Sequence, residues 1–190
     1  MLGLRRVFEK IVSWGLEIRF RPSDLLVLGV YGAVVGFGLW HHEPWSDEAF
    51  PWMIARDTNW RGFFEIIFGN WDRHPGLFYA LLLPLAKSGL PYFSQALLNG
   101  LFALAAAFLL MAKAPLPRIF RYLFLFSYYM LYEYSVITRT YMLSALLIFS
   151  IAVFYPKRSE HPILYALLVA LLFQSDYIHF FSPYQSKTFL

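Results

Sequence analysis

Two adjacent acids, Asp47 and Glu48, are the residues whose types and placement most directly offer chemistry in this chain. At a membrane surface such a carboxylate can act as a general base, with its neighbour as support or as a ligand for a divalent cation. The same pair also suits a plainer role, an N-cap and first-turn charge that complements a helix dipole. A second polar cluster, Asp72-Arg73-His74-Pro75, follows in the same stretch, with His74 either a loop histidine at a helix start or a site residue. Arg56, Arg61 and Arg73 can snorkel to headgroups or hold a lipid-linked phosphate through the planar guanidinium fork. Further on, Glu133 and Arg139 flank Ser135 and Thr138. Charges near membrane depth are costly and often functional, and the alternative here is an interfacial ion pair or snorkelling. Asp176 and His179, beside Tyr177 and Tyr184, read as ordinary interfacial residues.

The elements that must position these groups are apolar. Hydrophobic residues make up 59% of the 190-residue chain, aromatics 21% and charged residues 15%, whereas a soluble domain carries about 25% charged residues. A water-soluble fold of this length could not hide so much apolar surface in one core, and a bilayer can accept it. The formal charge of +4 does not point to nucleic acid, because the basic residues sit beside apolar runs, where they set topology. Cysteine is absent, which excludes disulfides, a thiolate metal site and a cysteine nucleophile.

Five apolar runs, at about 24–40, 92–112, 119–137, 140–155 and 162–175, read as spans, some short of the roughly 20 residues usually needed. The first has no small-residue cleavage site after it and reads as a retained signal-anchor. Before it, Leu4, Phe8, Ile11, Gly15 and Ile18 fall on one face of an amphipathic helix suited to the cytoplasmic interface. A sixth run, 76–85, is too short to cross comfortably and reads as a re-entrant or interfacial helix. With the N-terminus inside, this layout gathers Arg5, Arg6, Lys10, Arg19, Arg21, Lys113, Arg118, Arg121, Lys157 and Arg158 on the cytoplasmic side. A sixth span would send Lys113, Arg118 and Arg121 outside. The stretch 41–91 is then a long outside loop. Its four tryptophans, Trp45, Trp52, Trp60 and Trp71, favour the membrane–water boundary. Within it, the segment from Ser46 or Asp47 to Arg56 is expected to be a short helix.

Three segments in this order carry a resemblance. Ser46-Asp47-Glu48-Ala49-Phe50 is followed by Asp72-Arg73-His74-Pro75-Gly76-Leu77-Phe78-Tyr79, and then by the stretch from Glu133 through Arg139-Thr140-Tyr141 to Leu143. The series resembles the membrane glycosyltransferases of the GT-C fold, nearest to the protein O-mannosyltransferase and lipid A aminoarabinose-transferase branch (glycosyltransferase family 39-like). It covers about residues 24–180. Gly76 stands where that family often has a second proline, and Thr140 replaces the small or proline residue often found after the arginine.

The resemblance implies a polyprenyl-phosphate-linked sugar donor and an inverting transfer on the non-cytoplasmic face, in a bacterial inner or plasma membrane. It makes Asp47 the base for the acceptor hydroxyl and Glu48 its support or a cation ligand. His74 and Arg139 would lie near the donor phosphate, with Arg56 and Arg73 as further candidates. The expected fold is all-α, a polytopic membrane bundle of about five spans with interfacial helices in the first outside loop. The acceptor is expected to be a glycolipid, a cell-wall polymer or a protein. Members of the family have more spans, so the chain is expected to be an incomplete module, truncated, frameshifted or split from a second polypeptide that carries the missing half, the alternative being a compact family member. The competing reading is a non-catalytic membrane protein, a transporter or an assembly subunit, or an inactive fragment of the transferase.

Overall fold

The computed structural model describes residues 20–68 and 76–175. Among them every regular element is helical: α1 Pro22–His41, α2 Ser46–Asp57, α3 Trp60–Phe68, α4 Leu77–Lys87, α5 Phe93–Lys113 and α6 Arg118–Leu125. A π-helical turn Tyr129–Glu133 follows, then α7 Tyr141–Phe154, a 3₁₀ turn Tyr155–Lys157 and α8 Pro162–Ser175. The amphipathic segment expected before residue 20, the cluster of Asp72, Arg73 and His74, and the pair Asp176 and His179 lie outside the described residues.

Two helices are long and apolar enough to cross a membrane, α1 with 20 residues and α5 with 21. At 1.5 Å rise per residue each spans about the 30 Å of a hydrocarbon core. The apolar helices α4, α7 with its 3₁₀ extension, and α8 are shorter. The short helix expected over the acid pair is present as α2, and the 76–85 run forms α4. Lys87 at the end of α4 donates to the carbonyls of Arg56 and Thr58, at 2.9 and 2.5 Å, so the C-terminal ends of α2 and α4 are tied together.

The expected single helix over 119–137 does not form. Helix α6 ends at Leu125, and the chain resumes in π register. The cause is visible at the Met130 carbonyl, which accepts Tyr31 Oη at 2.7 Å and Ser135 Oγ at 2.6 Å. With that oxygen taken, the Tyr134 amide passes over it and bonds Tyr129 at 2.8 Å, the wider i→i+5 spacing of a π-turn. Tyr31 is fully buried in α1, so one phenol from a neighbouring helix sets the local backbone.

The helices run alternately between two ends of the molecule. At one end, Asp24 in the first turn of α1 accepts the Arg21 amide at 2.7 Å and Tyr122 Oη at 2.6 Å, and it faces Arg118 Nε at 3.2 Å. Arg121 reaches the Met111 carbonyl near the end of α5. Asp24, Arg118 and Arg121 are all buried. At the other end, Gln95 and Asn99 in the first turns of α5 bond the 134–138 segment. Ser175 at the close of α8 meets Ser144 near the start of α7, with Oγ atoms 2.9 Å apart.

Close approach at the second end depends on glycine. A Cβ at Gly38 would stand 2.7 Å from Val136 Cγ2, and one at Gly100 would stand 2.9 Å from Leu39 Cδ1. The leucine methyl can rotate aside, but Val136 is β-branched, buried and rotamer-locked. Gly36, by contrast, faces open space. Gly38→Ala should therefore cost about 1–3 kcal/mol through overpacking, whereas Gly36→Ala should be neutral or gain up to about 1 kcal/mol of helix propensity. Thermal unfolding of both variants in lipid, followed by tryptophan fluorescence, checks the opposite signs.

Candidate functional site

The two adjacent acids separate because successive residues of a helix point about 100° apart. Asp47 faces a cavity of about 400 Å³, lined from α2 by Ser46, Asp47, Phe50 and Pro51, from α4 by Phe78 and Tyr79, and from the third segment by Arg139, Thr140 and Tyr141. Glu48 turns inward and is fully buried.

In the cavity, Asp47 and Arg139 form a direct ion pair, with side chains 41% and 32% exposed. Partial exposure leaves both groups open to an incoming molecule. Arg139 is also oriented by Tyr141, to whose Oη it donates at 3.1 Å and over whose ring its guanidinium lies at 5.8 Å. Pro51 sits inside α2 and has no N–H to give the Asp47 carbonyl. Phe78 and Tyr79 supply an apolar floor, both nearly fully buried. A carboxylate, a cation and an apolar wall around one opening suit a molecule with a hydroxyl, an anion and a hydrophobic body.

Glu48 is held by four donors. Its Oε1 accepts His42 Nε2 at 2.8 Å and the Trp45 amide at 2.9 Å. Its Oε2 accepts the Thr138 amide at 2.7 Å and the Thr138 hydroxyl at 2.9 Å. Gln95 Nε2 then joins the two partners from behind, reaching the Glu48 carbonyl at 2.8 Å and Thr138 Oγ1 at 3.0 Å. Burial alone raises the Glu48 pKa, and the bonds from Trp45, His42 and Thr138 outweigh it, so the carboxyl is held below its ordinary value. The bond to the Trp45 amide is the reach-back half of a capping box. The plainer of the two sequence readings thus describes Glu48, while Asp47 is the acid that faces the cavity.

The other expected site residues distribute unevenly. Arg56 lies at the far end of α2 from Asp47, where it grips the exposed Asp57 through Nε at 2.7 Å and Nη2 at 2.9 Å, and it does not line the cavity. Arg61 pairs with Glu65 at 2.9 Å on the α3 surface. Glu133 accepts Tyr128 Oη at 2.8 Å rather than pairing with Arg139. Arg73 and His74 fall outside the described residues.

A divalent cation bridged by Asp47 and Glu48 does not fit this arrangement. The Glu48 oxygens are occupied by four donors, and Asp47 already faces a guanidinium. Among the described residues no group of three or more acidic or histidine side chains is placed to hold a metal ion.

Sequence reasoning passed over His42, Gln95, Asn99 and Thr138. Gln95 and Asn99 carried a legible signal, two amides one helical turn apart inside an apolar run, where polar side chains are expensive and selected for a partner. His42 and Thr138 carried none, since their role arises only from contact across the fold. Compared with protein-family models, curated proteins and solved structures, the chain gives no match in any of the three.

The depressed Glu48 pKa makes a pH prediction. Its stabilising contribution is fully present above the ordinary value of 4.5, declines below it, and is gone once pH falls through the depressed folded value. The unfolding temperature should therefore fall on acidification below about pH 4.5, and Glu48→Gln should be less stable at neutral pH and lose less on acidification. Thermal unfolding followed from about pH 7 down to about pH 3 reads both slopes.

Proposed function

We propose that the chain is a membrane glycosyltransferase module that transfers a sugar from a polyprenyl-phosphate carrier to an acceptor hydroxyl on the extracytoplasmic face. What carries the reading is convergence. Three segments that together resemble one family, Ser46–Phe50, the end of the second series at Phe78 and Tyr79, and Arg139–Tyr141, contribute to a single cavity. They are separated by long stretches of sequence, and no composition bias would bring them to one opening.

In this reading Asp47 takes the proton from the acceptor hydroxyl as that oxygen attacks the anomeric carbon. The bond from that carbon to the phosphate oxygen breaks, and polyprenyl phosphate leaves with the electron pair, so the sugar inverts. Arg139 neutralises the charge that gathers on the leaving phosphate, the place where preorganised cations contribute most. Before the donor arrives, Arg139 is paired with Asp47. An incoming phosphate competes for the guanidinium and leaves the carboxylate free to act as a base. The apolar floor at Phe78 accommodates the first part of the lipid or the sugar's apolar face.

The membrane disposition belongs to the same proposal. Five traverses, α1, α5, α6 with the π-turn, α7 and α8, alternate in direction, which suits five spans with the N-terminus in the cytoplasm. The end bearing Arg118, Arg121 and Lys113 then faces the cytoplasm, as the positive-inside rule asks. The end bearing Asp47 and Arg139 faces outward, and α2, α3 and α4 lie over it at the interface. Trp45, Trp60, Tyr128 and Tyr129 are exposed, as an aromatic belt at that boundary would be.

Three measurements test this. In membranes that hold the completed enzyme and are supplied with defined polyprenyl-phosphate sugars, Asp47→Asn should abolish transfer without loss of insertion. Arg139→Ala should weaken donor binding at least tenfold more than Arg139→Lys, which keeps charge and loses the fork. Retained turnover by Asp47→Asn would remove the assignment. For topology, the natural absence of cysteine allows single-site labelling. Ser46→Cys should react with an impermeant thiol reagent from outside, and Ala114→Cys should not.

A further inference from the structure

The geometry points to Glu48, Thr138 and His42 as a positioning clasp that fixes the distance between Asp47 and Arg139, with Glu48 taking no direct part in the chemistry. Each member of the reacting pair is one residue from a member of the clasp. Asp47 precedes Glu48, and Arg139 follows Thr138. The Thr138 amide and hydroxyl both bond one Glu48 oxygen, at 2.7 and 2.9 Å. The first turn of α2 is therefore joined to the backbone that enters α7 by two bonds to a single ionised atom. Such bonds are short and about twice as strong as neutral ones.

The second Glu48 oxygen is closed by His42 and the Trp45 amide. His42 stands just beyond the end of α1, and its ring meets Tyr132 edge-on with centroids 6.3 Å apart. Gln95 from α5 seals the fourth side, bonding the Glu48 carbonyl and Thr138 together. Three parts of the chain, the α1 exit, the α2 start and the α7 entry, thus meet on one buried carboxylate, and the α5 start braces the Glu48 backbone beside it. The Asp47–Arg139 pair, by contrast, is partly exposed on both sides, and a surface ion pair of that kind holds geometry weakly. When a donor phosphate takes Arg139, that pair is broken and only the clasp keeps the base and the phosphate ligand in register. A site must hold its groups to within about 0.5 Å, which a lone exposed pair cannot do.

This inference takes its catalytic meaning from the proposed transferase reading, but its test does not depend on transfer. In the full chain in membranes, Asp47→Cys and Arg139→Cys are combined, and the rate of linkage by a short bifunctional methanethiosulfonate is measured. The substitution removes the ion pair, so proximity then reports the clasp alone. Ser144→Cys with Ser175→Cys, whose oxygens lie 2.9 Å apart in the parent, is the control for α7–α8 packing. Glu48→Gln should slow the first link at least tenfold and leave the control unchanged, since one amide cannot accept all four donors. Thr138→Val should slow it too, and Thr138→Ser should restore the parent rate. An unchanged first link in Glu48→Gln would overturn the clasp in favour of a reacting carboxylate. Equal slowing of both links in Glu48→Gln and in the milder Thr138→Val would overturn it in favour of general support for the fold.

Discussion

A carboxylate buried away from water must be surrounded by donors or it will take up a proton. Glu48 meets that requirement with four bonds, and the donors come from the α1 exit, the α2 cap and the α7 entry. Because the donors belong to separate parts of the chain, satisfying one side chain brings those parts together. The cavity lies beside this junction: where α2 and the 138–141 segment are joined at Glu48 and Thr138, the adjoining residues Asp47 and Arg139 meet across it.

The opposite end of the bundle has a second buried acid with the same logic. Asp24 gathers the Arg21 amide, Tyr122 and Arg118, and so binds the starts of α1 and α6. Between these two polar clusters the helices meet through apolar and small residues, among them Ala103, Ala106 and Ala107 on α5, all fully buried. Small side chains let helix backbones approach closely, which is how helices associate when the surroundings are themselves apolar. Along α1, Leu25, Leu26, Val30, Val34 and Phe37 stay exposed on the outer face, a surface far too apolar for water. A bundle with polar clasps at both ends and an apolar waist is suited to a membrane of that thickness.

Division of labour between neighbours also explains the contrast in exposure at the site. Asp47 and Arg139 are partly open, as the proposed base and phosphate ligand must be to meet a substrate. The groups that hold them need the low dielectric of the interior, where each hydrogen bond is stronger. The helical turn places the two kinds of group side by side in sequence and on different faces in space.

Much of this was legible in the residues. The apolar runs predicted α1 and α5, the first-turn acids predicted α2, and the short 76–85 run predicted α4, because helix formation and burial follow local pattern. Asp47 and Arg139 were marked by type and by their resemblance to a family series. The resemblance gave the two acids different roles, but their own types and spacing could not, since Asp and Glu in one first turn look alike until the partners of each are known. Nor could sequence break the 119–137 run, whose π-turn depends on Tyr31 reaching the Met130 carbonyl from another helix. Local composition thus determined which segments are helical and which residues can do chemistry. Tertiary contact alone decided which acid is buried among donors and which one faces the cavity, because a buried charge is defined by donors that lie far away along the chain.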